Sequence, residues 1–299
     1  METGGGARVI VITGCDSGIG AALAAACLER GYTVVAGYLG PLPAPLSARH
    51  RPVPLDLRSE DSIAAFAREA LSTAKGGKAL YALVSNAGTV VAGPVENVPV
   101  GAVREAFEVN FFGAYSLVQK FVPALVGAKA RLVLVGSLAG LVAMPFFSPY
   151  VSSKFALEGF ADSVRRELAP FGVRTTIFEP AAVATPIWNE SWRKIEERWL
   201  PLVSDRYRAV FLDLARRFVS GGNEGMGADR AANVIMKALE SRRPRPRYIL
   251  AKNPVVSALE AVVPDRLLDA LIFRVFSLGR LAGSPGPAGS PTMGGDGHE

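Results

Sequence analysis

The sequence predicts a single α/β domain built on a doubly wound, parallel, seven-stranded sheet. Short apolar runs alternate with longer amphipathic ones across residues 8–281, as expected for buried parallel strands covered by helices on both faces. The first apolar run ends in a glycine-rich turn that leads into an alanine-rich segment. Of the 299 residues 49% are apolar and 20% are charged, so the chain can bury a large core and is neither disordered nor fibrous.

Seven short apolar runs are the candidate strands. They are residues 9–13, 33–38, 51–55, 80–84, 131–135, 174–178 and 247–251. Helices are expected between them, the first two over residues 17–30 and 59–74. Ser59 can cap the second helix, and Glu60 and Asp61 lie in its first turn, where acidic side chains are favourable. No internal repeat or linker divides the chain, which predicts one domain.

The two ends of the chain differ in composition from the domain. Residues 1–7 are expected to be flexible, and residues 282–299, rich in Gly, Pro and Ser, are expected to be disordered. The N-terminus lacks the basic and long apolar regions of a signal peptide. Residues 132–153 carry no charge, but two glycines and two prolines interrupt them, which argues against a membrane span. We therefore expect a cytoplasmic protein without a transmembrane span.

Charge and rare residues exclude several functional classes. The net charge is +6, and much of the excess lies in residues 242–252, which we interpret as a solvated surface loop, with phosphate or anionic membrane binding as the alternative. No aromatic residue interrupts 242–247, so nucleic-acid binding is not expected.

Two histidines argue against a Ser-His-Asp hydrolase and a multi-histidine metal site, and no metal is predicted. Cys15 and Cys27 lack CxxC spacing, which favours a reducing compartment.

The glycine-rich turn reads TGCDSGIG over residues 13–20. A strand, a glycine turn and a helix N-terminus together form an anion site, because backbone N–H groups and the helix dipole face the ligand. Glycines also let a pyrophosphate approach the backbone closely. Simple strand-to-helix packing is the alternative interpretation of such a turn.

This turn resembles the TGxxxGxG motif of the short-chain dehydrogenases/reductases. Further matches follow in that family's order, and the resemblance covers roughly residues 8–252. They are Asp56, the Asn86-Ala87-Gly88 segment, Asn110, Ser137, and Tyr150 with Lys154. The resemblance implies a Rossmann-type fold. The strings CDSG at residues 15–18 and RREL at residues 165–168 are similar to the retinol and hydroxysteroid dehydrogenase branch of the family.

Four residues are the candidate catalytic group. Tyr150 and Lys154 are four residues apart, so a helix places them on one face. A neighbouring ammonium lowers the pKa of a phenol, and the pair could then exchange a proton with a carbonyl or an alcohol oxygen. Ser137 follows the fifth strand, at the end of a parallel strand that faces the ligand crevice. The resemblance implies that Ser137, Tyr150 and Lys154 form the catalytic triad and that Asn110 supports the lysine through water.

The resemblance also implies a nicotinamide cofactor and the residues that bind it. These are Thr13, Gly14, Ser17, Gly18, Ile19, Gly20, Asp56, Asn86, Ala87, Gly88, Tyr150, Lys154 and Thr185. Asp56 is expected at the adenine amino group and Thr185 at the carboxamide. The cofactor is NAD or NADP. The second strand ends without an acid or a base, and Asp16 would disfavour a 2′-phosphate if it lies close, which favours NAD.

Two segments depart from the alternating pattern. By resemblance, residues 185–225 form a substrate lid. Trp188, Trp192 and Trp199 recur there at helical spacing, as an apolar wall over a hydrophobic substrate or as ordinary core packing. A second amphipathic helix is expected over about residues 264–281. It docks on the domain, pairs with another subunit or touches a membrane surface.

We therefore predict an NAD(P)-dependent oxidoreductase that interconverts an alcohol and a carbonyl. Its substrate is expected to be a small hydrophobic molecule such as a steroid, a retinoid or a long-chain ketone. We also expect a homo-oligomer, and peripheral membrane contact stays open. The competing hypotheses are a non-catalytic NAD(P)-binding regulatory protein and a membrane-surface scaffold built on the basic stretch and the C-terminal helix.

Overall fold

A computed structural model describes residues 8–75, 79–254 and 263–283. The predictions for residues 1–7, and for the tail after residue 283, lie outside the described residues.

Seven strands form the main sheet, and they overlap the seven predicted apolar runs. They are β1 (Arg8–Thr13), β2 (Thr33–Tyr38), β3 (His50–Pro54), β4 (Ala79–Ser85), β5 (Arg131–Val135), β6 (Arg174–Pro180) and β9 (Arg247–Leu250). All neighbouring pairs are parallel, in the order β3-β2-β1-β4-β5-β6-β9. The predicted fold class is confirmed. A separate parallel pair, β7 (Val183–Ala184) with β8 (Met226–Gly227), was not predicted, because two residues show no periodicity.

Nine α-helices occur in the described ranges. They are α1 (Gly18–Glu29), α2 (Glu60–Thr73), α3 (Val100–Phe107), α4 (Gly113–Ala128), α5 (Ser148–Leu168), α6 (Ile187–Arg198), α7 (Asp205–Asn223), α8 (Ala228–Glu240) and α9 (Asp265–Val275). A π-helical turn, Glu108–Phe112, joins α3 to α4. Ser59 caps α2 as predicted, because its side chain accepts a hydrogen bond from the Ser62 N–H at 3.2 Å.

The strands are apolar throughout because both faces of the sheet are covered. In β1, Ile10 and Ile12 face a core layer shared with α1 and α8. Val9 and Val11 face the opposite layer, shared with α2, α4 and α5. The strand order reverses between β1 and β4, and in open α/β sheets ligands bind at such a reversal, outside the carboxyl ends of the strands.

Within the described residues, one stretch is long and apolar enough to cross a membrane by length and composition alone, namely the helical run Val100–Ala128. Its most apolar window is 39% buried, and Leu117, Phe121 and Leu125 of α4 pack in the core. A core helix of a globular domain passes the same test, so the predicted lack of a membrane span stays a prediction. The uncharged segment 132–153 splits into β5, a loop and the start of α5.

Candidate active site

Several positions in the turn after β1 require glycine. Gly14 has φ +69° and Gly18 has φ +60°, in the left-handed region that side chains with a Cβ rarely adopt. A Cβ on Gly18 would lie 2.9 Å from Cγ2 of Thr185, and one on Gly20 would collide with the carbonyl oxygen of Gly14. These positions keep the backbone at the N-terminus of α1 open, which is the cradle that a pyrophosphate requires.

A buried threonine ties this turn to the loop after β4. Thr13 is 0% exposed, and its hydroxyl oxygen accepts hydrogen bonds from the Asn86 N–H at 2.9 Å and the Ala87 N–H at 3.0 Å. The Asn86 amide in turn donates to the carbonyl oxygens of Thr13 (2.9 Å) and Gly14 (3.1 Å). Thr13 and the Asn86 amide therefore hold the cofactor turn in shape.

A cavity of about 870 Å³ opens at the carboxyl edge of the sheet. It brings together twelve of the residues that the sequence singled out: Gly14, Ser17, Gly18, Ile19, Asp56, Asn86, Ala87, Gly88, Ser137, Tyr150, Lys154 and Thr185. Thr13, Gly20 and Asn110 lie outside the cavity lining. Glu105 and Arg58 also line the cavity, and neither carries a motif that could have identified it.

Ser137, Tyr150 and Lys154 share one part of this cavity because β5 and α5 converge there. The hydroxyl of Ser137 donates to the carbonyl oxygen of Pro180 at 3.3 Å and accepts from the Ala139 N–H at 3.1 Å. The ammonium of Lys154 donates to the carbonyl oxygen of Val135 at 3.1 Å and lies 5.9 Å from the centre of the Tyr150 ring. A hydroxyl, a phenol and an ammonium therefore surround the same space.

Burial sets the protonation of this group. Burial raises the pKa of Tyr150 above its ordinary value, and the Ser137 hydroxyl works in the opposite direction. Burial also lowers the pKa of Lys154 to about 8, against the negative charge of Glu158. The sequence argument expected the lysine to lower the tyrosine pKa, but in this structure desolvation of the phenol is the larger influence.

Asn110 lies in the π-helical turn between α3 and α4, a kind of irregularity that is frequent at functional sites. It is 1% exposed, and its amide donates to the Thr89 carbonyl oxygen and the Ser153 hydroxyl, both at 2.9 Å. Its side-chain oxygen accepts from the Thr89 N–H at 2.8 Å, and Ser153 donates to the Tyr150 carbonyl oxygen at 2.7 Å. Asn110 thus connects the loop after β4 to the helix that carries Tyr150.

An apolar wall lines the cavity beside Tyr150, and the charged residues Glu190, Lys194 and Arg217 of α6 and α7 line the cavity as well. The residues of the wall come from the loop after β5, from α5 and its N-terminus, from α6 and α7, and from the C-terminal segment: Val142, Met144, Phe147, Trp188, Phe218 and Phe276. Phe218 joins this wall together, because its ring lies 4.3 Å from that of Phe147 and stacks on that of Phe276 at 6.3 Å. No local sequence pattern indicates that Phe276 reaches the site, because the contact depends on tertiary structure.

The tryptophan stripe divides between the two roles considered for it. Trp188 lines the cavity, and its indole N–H donates to the carbonyl oxygen of Val183 at 2.7 Å. Trp192 and Trp199 do not line the cavity. They pack in the apolar cluster that also contains Phe147, Phe218 and Phe276, where Trp192 lies 6.3 Å from the Phe211 ring. Of the two interpretations of the stripe, core packing describes the positions of these two residues, and only Trp188 lies in the cavity lining.

The opposite end of the cavity lies beside the end of β2. The carboxylate of Asp16 accepts hydrogen bonds from the Leu39 N–H at 3.2 Å and the Gly40 N–H at 2.7 Å. Asp56 is engaged nearby with Arg58, whose guanidinium approaches the Asp56 carboxylate to 2.7 Å. The side-chain hydrogen bond from Arg58 holds the pKa of Asp56 below its ordinary value, so the pair stays ionised.

Arg247 was predicted to begin the seventh strand, which is confirmed, but it was also counted in a basic stretch interpreted as solvated, which is wrong for this residue. It begins β9 and forms ion pairs with Glu158 (3.0 Å), Asp162 (3.2 Å) and Glu179 (3.0 Å). Its partners are 89, 85 and 68 positions away along the chain, which is why no local pattern pointed to them.

The strand reversal beside a glycine cradle, with a tyrosine, a lysine and a serine at the carboxyl edge, defines a dinucleotide-dependent oxidoreductase of the Rossmann type. Residues 8–196 match the short chain dehydrogenase family, and the chain belongs to it. It therefore interconverts an alcohol and a carbonyl with a nicotinamide cofactor.

Two relatives show the range of similar proteins. The chain is 32% identical to retinol dehydrogenase 5 of Mus musculus, over 88% of this chain and 87% of that relative. It is 29% identical to an NADPH-dependent 3-dehydrocapnine reductase of Ornithobacterium rhinotracheale, over 89% of this chain and 96% of the relative.

Solved structures show the same fold. A short chain dehydrogenase from Burkholderia cenocepacia in complex with NADP superimposes with a TM-score of 0.67 at 25% identity, covering 89% of this chain and 97% of the other. A short chain dehydrogenase/reductase from Burkholderia phymatum in complex with NAD gives a TM-score of 0.70 at 24% identity, covering 85% and 91%.

Proposed function

We propose that this enzyme acts on a hydrophobic alcohol or ketone of steroid, retinoid or long-chain type, with Tyr150 as its proton-transfer residue. The observation that carries the proposal is the continuity of the cavity. Ser137, Tyr150 and Lys154 line the same cavity as an apolar wall that includes Phe147 and Phe218. Apolar rings next to a proton-transfer group suit a substrate whose reacting oxygen is attached to a large apolar body.

In the proposed mechanism the protein moves the proton and orients the reacting oxygen. The nicotinamide, when bound, donates or accepts the hydride. The Ser137 hydroxyl donates a hydrogen bond to the substrate oxygen, and Tyr150 gives its phenolic proton to that oxygen during reduction or removes the proton during oxidation. The Lys154 ammonium favours the phenolate, and Asn110 keeps α5 in register with the loop after β4.

The names of two relatives agree with a hydrophobic substrate but do not select one. One is named a retinol dehydrogenase and the other a 3-dehydrocapnine reductase. Burying apolar area contributes roughly 25 cal/mol per Å², so a wall of six apolar residues gives a large substrate an advantage of kilocalories over a small one.

We propose NAD as the preferred cofactor because Asp16 already holds the position beside the ribose end of the cavity. Its carboxylate uses the N–H groups of Leu39 and Gly40, which follow β2 directly. A 2′-phosphate would meet this negative charge and would find those two donors engaged. Arg58 would not attract the 2′-phosphate strongly, because its charge is neutralised by Asp56. The ratio of kcat/KM with NAD to that with NADP should fall in Asp16→Asn, and an unchanged ratio would contradict the preference.

Tyr150→Phe tests the proposed chemistry. The variant keeps the ring and removes the transferable proton, so kcat should fall about 10² to 10⁴-fold while cofactor still binds. Turnover is followed by the absorbance of reduced nicotinamide, and cofactor binding by calorimetry. Tyr207→Phe is the matched control, because Tyr207 packs against Phe146 at 6.1 Å and does not line the cavity. Near-normal turnover in Tyr150→Phe would refute the assignment.

We propose that the enzyme is a homo-oligomer that associates through an aromatic surface on the π-helical turn, α4 and α5. Phe112, Tyr115 and Phe155 are 52%, 46% and 44% exposed there. A second copy of the chain would cover these rings, and self-association of one surface around a two-fold axis is the commonest arrangement of soluble oligomers. Light scattering should show a smaller particle for Phe155→Glu than for the native chain.

We place the enzyme in the cytoplasm, with peripheral contact at a membrane surface. Cys15 and Cys27 are buried and unpaired, as suits a reducing compartment. The outward face of α9 exposes Leu267, Leu271 and Phe273 by more than half. Sedimentation with anionic liposomes tests the contact, and a protein that stays entirely in the supernatant would contradict it.

A further inference from the structure

One guanidinium holds three carboxylates behind the proposed catalytic group. Arg247 contacts Glu158, Asp162 and Glu179, which come from α5 and β6. The side chains of Glu158 and Glu179 are only 8% and 1% exposed, whereas that of Asp162 is 26% exposed and also pairs with Arg165 at 3.3 Å. The two buried carboxylates therefore share Arg247, whereas Asp162 is also paired with Arg165 and Arg166.

Glu158 is the member of this cluster nearest to the proposed catalytic group. It follows Lys154 by one helical turn on α5, and both residues are buried. One carboxylate oxygen, Oε2, accepts from Arg247 at 3.0 Å, and the other, Oε1, has no hydrogen-bond partner within the described part of the chain. The Glu158 carboxylate is therefore held by Arg247 through Oε2 alone, and its Oε1 points into the protein interior.

Two glycines make room for this inward oxygen. A Cβ on Gly136 would lie 2.8 Å from Oε1 of Glu158, and a Cβ on Gly140 would lie 3.3 Å from it. Gly136 immediately precedes Ser137, and a Cβ on Gly140 would also lie 3.1 Å from the carbonyl oxygen of Lys154. Glu158 thus packs directly beneath the loop that carries the serine and beside the turn that carries the lysine.

We propose that Glu158, anchored by Arg247, is a positioning residue that keeps the Lys154 side chain charged and the Ser137 loop in place. The inference rests on the proposed roles of Lys154 and Ser137. Glu158 is not a catalytic residue in this scheme, because it does not line the cavity and contacts neither substrate nor cofactor.

Several charged groups besides Glu158 surround Lys154. Burial lowers the pKa of Lys154 to about 8, and the charge of Glu158 opposes that effect. Tyr150 faces the lysine from the same helix, and Asp162 lies two turns further on, where Arg165 and Arg166 pair with it. Glu179 and Arg247 approach from β6 and β9. Arg247 is shared among three carboxylates, so it neutralises Glu158 only in part. Removal of the Glu158 charge should therefore make the ammonium easier to deprotonate.

The experiment measures the titration of Lys154 directly, in the full-length enzyme without added cofactor. The chain has eight lysines, so ¹³C labelling at Cε gives a resolvable spectrum, and the signal that disappears in Lys154→Ala identifies this residue. In Glu158→Gln the titration midpoint of Lys154 should fall by about one pH unit, at the lower end of the effect of a neighbouring opposite charge. Glu158→Asp should restore most of it.

Asp162→Asn keeps the proposal falsifiable if Glu158→Gln does not fold. It removes a partly exposed member of the same cluster, so the Lys154 midpoint should move in the same direction by a smaller amount. An unchanged midpoint in Glu158→Gln, even with a lower Tm, would show that Glu158 is merely structural and would overturn the proposal.

The pH profile of kcat/KM separates this proposal from the proposed function. If both hold, the alkaline limb should shift to lower pH in Glu158→Gln together with the Lys154 midpoint. If the midpoint moves but the alkaline limb does not, Glu158 acts on Lys154 as proposed and the catalytic role of Lys154 is wrong.

Discussion

Replacement of Thr13 by valine tests whether the cofactor turn depends on a single hydroxyl. The two side chains have nearly the same shape, but valine cannot accept the hydrogen bonds from the Asn86 and Ala87 N–H groups, at 2.9 and 3.0 Å in the native protein. Each unsatisfied buried donor costs about 1–3 kcal/mol. Both donors belong to half-buried residues, so the lower end applies, and the free energy of unfolding should fall by about 2 kcal/mol.

Thermal unfolding followed by circular dichroism measures this loss. For a chain of 299 residues, with an unfolding entropy of about 2.1 cal/mol/K per residue, a loss of about 2 kcal/mol corresponds to a decrease in Tm of roughly 3 °C. Cofactor affinity should fall as well, because Asn86 holds the carbonyl oxygens of Thr13 and Gly14. Thr13→Ser is the control, since it keeps the acceptor and loses only a methyl group, and it should keep more of the cofactor affinity. A Tm for Thr13→Val within about 1 °C of the native value would refute the reasoning, because the donors would then have found other partners.

Three further predictions concern the cradle, the buried acid and the tryptophan stripe. Gly18→Ala should weaken cofactor binding at least about tenfold in calorimetry, because φ +60° is strained for alanine, whereas Gly159→Ala, with nothing within 4 Å of its new Cβ, should not. Burial raises the pKa of Glu179 from 4.5 to about 7, so the folded state favours the protonated form and stability should fall as pH rises through that interval. The Tm of Glu179→Gln should not fall with rising pH in this interval. If the plots of Tm against pH run parallel for the variant and the native protein, the prediction is wrong. Trp192→Ala should lower Tm and leave unchanged the ratio of kcat/KM for a steroid-sized and a small ketone, because Trp192 packs on Phe211; a selective loss with the large ketone would show that it contacts substrate.

The sequence was sufficient for those parts of the fold that depend on local pattern. The seven buried strands are recognisable because both faces are covered and their residues are therefore apolar in continuous runs. The cap of α2 is recognisable because Ser59 bonds only three residues ahead. The glycine turn is recognisable because positive φ angles and close approaches leave few alternatives to glycine.

The sequence was insufficient where the partners of a residue are distant in the chain. Arg247 has the composition of a surface loop around it, and only the pairing of β9 with β6 brings it to Glu179. Phe276 reaches the cavity through the packing of the C-terminal segment against Phe218, which no helical periodicity encodes. The tryptophan spacing predicted a single stripe, but α6 turns Trp188 toward the cavity and Trp192 toward an apolar cluster.

The position of Arg247 near the end of the chain has a consequence for biosynthesis. Glu158 and Glu179 are translated long before their shared cation, and a nascent chain that ends before β9 would have to bury both carboxylates without it. We therefore expect the carboxyl edge of the sheet to reach its native arrangement after residue 247 has left the ribosome. We expect fragments that stop before this strand to retain the first βαβ units but not a closed active site, so that completion of the polypeptide and assembly of the catalytic centre occur together.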